Sequence, residues 1–136
     1  MIRGSCLCGA VRYEIDGDVE LMANCHCSMC RKHHGAPFVT YLGVNTSQFR
    51  WVKGEDLVSD YRSSPSGHRG FCRVCGSNLP MPTSGTERLF IPAGTLDEDP
   101  GTRPQAHIFV GSKAPWVEIT DDLPQFDEYP PGFGPE

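Results

Sequence analysis

The sequence predicts one mainly β domain of short antiparallel strands, with at most one or two short helical turns. Three observations carry that expectation. Glycine (15) and proline (12) together fill about a fifth of the 136 residues, against roughly 12% in an average protein, which favours turns over long helices. Candidate strands recur between Gly, Pro, Asn and Ser clusters at spacings that suit an all-β architecture. Hydrophobic residues make up 38% of the chain, enough for a real core in a single domain of this length and too much for a disordered chain.

Taken in order, Val11, Tyr13 and Ile15 alternate with Arg12, Glu14 and Asp16 after a turn at Gly9. That period of two marks a half-buried strand. Residues 19–23 read as a second strand and its hairpin partner. The stretch Cys27-Ser28-Met29-Cys30-Arg31-Lys32-His33-His34 meets no breaker before Gly35 and Pro37, so it predicts a loop running into one or two helical turns. Further strands are expected over residues 38–44, 49–52, 57–61, 70–71, 89–93, 106–110 and 116–119. The Pro/Gly-rich residues 124–136 form a tail whose last eight residues read as extended and poorly anchored.

The formal charge of −5 is uneven. Residues 118–136 carry six acids and no Lys or Arg, whereas seven bases against three acids lie between Cys25 and Cys75. A chain that is acidic overall is a poor non-specific nucleic-acid binder, because that affinity comes from neutralised phosphates. The basic middle suits a small anion. No apolar run approaches the roughly 18 residues of a membrane span. The N-terminus leads into cysteines without an apolar signal core, so a cytoplasmic location is expected.

Cysteine carries the chemistry. Seven are present, as Cys6-x-Cys8, Cys25-x-Cys27-x-x-Cys30 and Cys72-x-x-Cys75. An odd count without a secretion signal argues against a disulfide framework and for metal. A C-x-x-C turn brings two sulfurs close enough to share a tetrahedral zinc, and an extended C-x-C points both side chains to one face. Seven thiols suggest one closed four-sulfur site and one three-sulfur site with an open position. Two partitions are open. Cys6, Cys8, Cys72 and Cys75 form the closed site and Cys25, Cys27 and Cys30 the open one; or Cys27, Cys30, Cys72 and Cys75 close, leaving Cys6, Cys8 and Cys25. The first is favoured, since a contiguous triplet holds a metal at little loop-closure cost. His26 sits between alternating cysteines and should point away from the metal. His33 and His34 are the better candidates for a further ligand. His68 is expected at the surface and His107 in a strand.

The segments Gly4-Ser5-Cys6-Leu7-Cys8-Gly9-Ala10-Val11, Cys25-His26-Cys27-Ser28-Met29-Cys30-Arg31, Phe71-Cys72-Arg73-Val74-Cys75-Gly76-Ser77-Asn78-Leu79 and His107-Ile108-Phe109-Val110-Gly111-Ser112-Lys113-Ala114-Pro115-Trp116 together resemble the glutathione-dependent formaldehyde-activating enzyme family, which includes the centromere protein V domain. The resemblance spans residues 3–123 and implies an Mss4-like zinc-stabilised β fold. It implies two zinc ions per chain: a structural one on Cys6, Cys8, Cys72 and Cys75, and a catalytic one on Cys25, Cys27 and Cys30. The implied activity is a carbon–sulfur lyase reaction, forming or breaking a thiol–aldehyde adduct such as S-hydroxymethylglutathione. A basic N-terminal region of the centromere type is missing from this sequence.

Three thiolates leave a zinc ion weakly Lewis-acidic, so hydroxide generation is disfavoured and a soft thiolate is the natural fourth ligand. The expected substrate is a small anionic thiol or its aldehyde adduct. Arg31, Lys32, Arg69 or Arg73 would hold its carboxylates, and His33 or His34 would move the proton. Phe38, Phe71 and Trp116 serve as either pocket walls or core. Two other readings use the same scaffold: a hydrolase of another substrate, and a non-enzymatic zinc-stabilised binding module.

Overall fold

The computed structural model describes residues 1–82 and 86–133. The last three residues of the expected tail lie outside the described residues. The fold is mainly β, consistent with the Mss4-like expectation. Its strands are β1 (Ile2–Ser5), β2 (Arg12–Ile15), β3 (Leu21–Cys25), β4 (Val39–Asn45), β5 (Phe49–Lys53), β6 (Val58–Arg62), β7 (His68–Cys72), β8 (Asn78–Leu79), β9 (Met81–Pro82), β10 (Arg88–Pro92) and β11 (Ala106–Ile108), with one short helix, α1 (Ser28–His34). They form a sheet β1-β2-β5, a sheet β11-β3-β4-β10-β9 and a sheet β6-β7-β8.

The central sheet positions the site. All five residues of β3 are buried, and β3 lies between β4, antiparallel, and β11, parallel. Alternation sorts its side chains. Met22 joins Leu42, Val44, Leu89, Ile91, Tyr13 and Ile15 in one core cluster. Leu21, Ala23 and Cys25 face the opposite way, into a second cluster with Cys27, Cys30, Val39 and Ile108. A third, smaller cluster gathers Cys6, Val11, Cys72 and Leu79. Five of the seven cysteines are thus core residues of two of the three clusters, while Cys8 is exposed and Cys75 half-buried.

Packing at β1 depends on one glycine. A Cβ at Gly4 would overlap the ring of Tyr13, which is 1% exposed and hydrogen-bonded through Oη to Thr95 Oγ1 at 2.6 Å. α1 ends at Gly35, whose left-handed φ of 63° lets its N–H reach the Arg31 carbonyl, a geometry that suits glycine.

Several expectations are corrected. β3 is not the hairpin partner of β2. The amphipathic β2 pairs with β1 and β5, while the fully buried β3 needs the middle of the larger sheet. Residues 116–119 form no strand; they begin in a turn, Val117 N–H donating to Ala114 O, and β11 pairs instead with residues 124–126: His107 N–H donates to Pro124 O and Phe126 N–H to His107 O. Trp116 is 72% exposed. The same pairing anchors the described part of the tail, where Val110 N–H donates to Phe126 O and Phe109 N–H to Glu128 O. Phe133 then packs against Arg88. β11 stops at Ile108 because Phe109 turns left-handed (φ 54°, ψ 36°) into a short 3-10 turn, Val110–Ser112. The strands β1, β8 and β9 were not anticipated. β8 and β9 have two residues each, too short for a periodic signal.

Candidate metal centre and thiol cleft

The cysteines fall into two separate groups. Cys6 and Cys8 stand in the turn after β1, Cys72 ends β7, and Cys75 lies in the turn before β8. The sulfurs of these four residues all lie within 4.8 Å of one another and could hold a metal ion. Cys6 Sγ and Cys8 Sγ are 3.6 Å apart, and Cys8 Sγ and Cys72 Sγ 4.0 Å. A tetrahedral site with bonds of about 2.3 Å has sulfur–sulfur edges of about 3.8 Å. One amide supports the charge such a site carries, Val11 N–H donating to Cys6 Sγ at 3.3 Å, and the Ser77 hydroxyl, held by Leu7 N–H at 2.8 Å, lies 3.3 Å from Cys75 Sγ.

Ionisation within the cluster is uneven. Hydrogen bonding from Ser77 holds the Cys75 thiol down to about 5. Cys8 has an Ala10 amide that favours its thiolate, yet its hydrogen bond with Cys6 contributes to pushing it up to about 11. Four thiols this close cannot all ionise unaided, and a divalent cation removes that conflict.

Cys25, Cys27 and Cys30 belong to the end of β3, the residue before α1 and the first turn of α1. Cys25 Sγ and Cys30 Sγ are 3.5 Å apart. The three line a cleft of about 170 Å³ together with His33, His34, Tyr41, Arg69 and Asn78. Its opposite walls are apolar, from Met29, Phe90, Phe109 and Tyr129 among others.

Donors in this cleft converge on Cys30. The Asn78 amide nitrogen donates to His34 Nδ1 at 2.9 Å, which leaves the His34 proton on Nε2. Burial pushes the His34 imidazole down to about 4, so it is neutral at pH 7. Its Nε2 then donates to Tyr41 Oη at 3.3 Å, and Tyr41 O–H donates to Cys30 Sγ at 3.6 Å. Arg69 Nη1 also donates to Cys30 Sγ, at 3.2 Å. Burial works against the Arg69 charge, but the Cys30 sulfur outweighs it and raises the guanidinium. Hydrogen bonding from Cys30 raises Cys27, and Cys25 does the same to Cys30. The arrangement places one cation and one aligned chain of neutral donors around sulfur charge.

The residues singled out from sequence separate here. His33 and His34 line the cleft. Arg31 does not: its guanidinium donates to the carbonyls of His26 and Ser112, and it flanks a second concavity with Lys32 and Trp116. His26 points away from the sulfurs, as its place in the alternation requires. It is fully buried and meets His107 Nδ1 through Nε2 at 2.8 Å, with His107 Nε2 in turn 3.0 Å from Asp121. His68 pairs with Asp60 at 2.7 Å and also borders the cleft. Phe38, Phe71 and Trp116 do not line it. Tyr41 and Asn78 escaped the sequence reading. Tyr41 stands opposite Ala23 and so on the Cys25 face, which only the β3–β4 pairing reveals. Asn78, in a two-residue strand, carried no signal.

Comparisons with known proteins point to one family. The family described as glutathione-dependent formaldehyde-activating enzyme matches residues 1–112. A putative glutathione-dependent formaldehyde-activating enzyme of Halomonas elongata is 31% identical over 88% of this chain and 81% of its own length. An uncharacterized lyase of Schizosaccharomyces pombe is 32% identical over 66% of this chain and 64% of its own. A crystal structure of a Rhodobacter sphaeroides protein superposes with a TM-score of 0.60 at 25% identity, covering 75% of this chain and 91% of that one.

Proposed function

This chain belongs to the glutathione-dependent formaldehyde-activating enzyme family, and from that premise we propose that it is a zinc-dependent enzyme of the carbon–sulfur lyase type. It forms or breaks the adduct between a small anionic thiol and an aldehyde, S-hydroxymethylglutathione being the reference case. One observation carries this reading: three cysteines open onto a cleft lined by Arg69, while the other four close on one another elsewhere.

The four-cysteine set fits zinc in spacing, and the three-cysteine set fits it in donor chemistry, with Cys25 and Cys30 already at sharing distance. Four thiols at tetrahedral spacing suit a structural ion on Cys6, Cys8, Cys72 and Cys75, and three thiols beside a cleft suit a second ion on Cys25, Cys27 and Cys30. When bound, that second ion supplies a soft cationic centre that favours sulfur and the thiolate form of an incoming thiol.

The protein's residues do the rest. Arg69 offsets the negative charge of the sulfur cluster through Cys30, so an anionic thiol can approach. The chain from Asn78 through His34 to Tyr41 fixes the direction of every proton around Cys30. Both nitrogens of His34 are engaged in that chain. His33, hydrogen-bonded to the Gly70 backbone and lowered by burial, is the cleft imidazole to which we assign proton movement. In the forward direction the thiol adds across the carbonyl. The sulfur–carbon bond forms, the carbon–oxygen π bond breaks, and the thiol proton finishes on the new hydroxyl.

The test is calorimetry with glutathione and S-methylglutathione in two buffers of different ionisation enthalpy. Glutathione is expected to bind with release of about one proton, because the free thiol is mostly protonated at pH 7 and the bound form is thiolate. The S-methyl derivative is expected to bind much more weakly. Equal affinities with no proton released would refute the reading.

A further inference from the structure

The cleft beside the three cysteines is walled by a continuous series of rings. Phe109 meets Tyr129 edge-on, with centroids 4.9 Å apart. Tyr129 stacks on Phe90 at 6.3 Å, Phe90 meets Tyr41 at 6.2 Å, and Tyr41 meets His34 at 6.0 Å. All five line the cleft, and within the series Tyr41 Oη contacts Cys30 Sγ. The rings come from the end of β11, the tail, β10, β4 and α1, so no local feature of the chain requires them to adjoin.

Two facts single out the far end of this wall. Phe109 is the one non-glycine residue with positive φ among the described residues, a conformation that a Cβ makes costly and that tends to mark functional positions. Tyr129 lies beyond residues 1–112, which the family match covers, and its segment is tied to Phe109 and Val110, just after β11, by the Glu128 and Phe126 carbonyls. A one-carbon aldehyde has no apolar surface for such a wall to cover.

We propose that the cleft takes an aldehyde bearing a planar or extended hydrocarbon group, which lies along Phe109, Tyr129 and Phe90 with the carbonyl turned toward Cys25, Cys27 and Cys30. This rests on the thiol–aldehyde reading above and deepens it. The addition balances as before, with the thiol proton ending on the aldehyde oxygen. Phe109 and Tyr129 are then specificity-determining residues, and the tail supplies one of them.

Two arms test this on the zinc-loaded protein. In the binding arm, ligand-observed NMR compares benzyl alcohol with methanol. Burial of each methylene-sized group raises affinity about fourfold, so benzyl alcohol is expected to bind at least tenfold more tightly. Tyr129→Ala should remove most of that preference. In the kinetic arm, glutathione addition to phenylacetaldehyde and to formaldehyde is followed by exchange NMR. The ratio of the two kcat/KM values should fall at least fivefold in Tyr129→Ala and in Phe109→Gly, the latter keeping a residue at ease with positive φ. A purely structural role would lower both rates without moving their ratio. Benzyl alcohol binding no more tightly than methanol, or an unchanged ratio in both variants, overturns the proposal even when formaldehyde is turned over. Tyr129-dependent binding of benzyl alcohol without acceleration of either aldehyde overturns the thiol–aldehyde reaction itself, and the aldehyde assignment with it. The binding arm thus tells the two failures apart.

Discussion

Replacing Cys72 by alanine separates the two cysteine groups by what each does for folding. Cys72 is fully buried, and its sulfur sits 4.0 Å from that of Cys8, 64 residues away in sequence. A cross-link closing a loop of that length lowers the entropy of the unfolded chain by an amount equivalent to about 4 kcal/mol in the chain-entropy description. Net stabilities run from about 5 to 15 kcal/mol, so this loss is a large share of the whole. With unfolding entropy near 2.1 cal/mol/K per residue, 4 kcal/mol lowers the melting temperature of 136 residues by about 14 °C. Cys27→Ala is different. Cys25 and Cys30, the sulfurs it leaves behind, are only five residues apart, and a closure that short contributes about 2 kcal/mol at most. Circular dichroism melts combined with elemental analysis of both variants make the comparison. Cys72→Ala should melt about 14 °C below the parent and lose the zinc of that group. Cys27→Ala should melt within about 7 °C of the parent, retain about one zinc ion, and lose activity. If both variants melt like the parent, or their phenotypes are exchanged, the assignment of a structural and a catalytic group is wrong.

Two further outcomes are expected. Elemental analysis of the freshly purified parent should approach two zinc ions per chain, and a reproducible value of one that added zinc does not raise would exclude the second site. Gly4→Ala should destabilise without changing metal content, because its Cβ would overlap the Tyr13 ring and disturb the Tyr13–Thr95 hydrogen bond. Overpacking and the strained bond together cost about 2–4 kcal/mol, and a melting temperature within 1 °C of the parent would show that β1 yields instead.

Much of this protein is written locally. Alternation at Val11, Tyr13 and Ile15, the breaker-free run from Cys27 to His34, and the Gly and Pro punctuation are short-range signals. They anticipated β2, α1 and the mainly β class because period and turn chemistry act over a few residues. The cysteine motifs are local too, since each pair must share one turn or one strand face. What they could not decide was which pairs meet. The gathering of Cys6 and Cys8 with Cys72 and Cys75 depends on β1 and β7 being brought together across the fold.

Sheet order was equally illegible. Nothing in residues 19–23 states that β3 pairs with β4 and β11 rather than β2. That choice follows from the burial of both its faces, which only the assembled sheet provides. The tail shows the same limit: its composition suggests a loose end, yet it pairs along the edge of β11. The cleft itself is a tertiary product. Cys30, Tyr41, Arg69, Asn78 and Tyr129 stand on five different elements, and their chemistry arises from distances of 3–4 Å between side chains that sequence separation does not encode. The sequence by itself determined which atoms are available for metal and thiol chemistry; tertiary packing alone decided which of them share a cleft, because long-range contact depends on the whole chain burying its apolar surface at once.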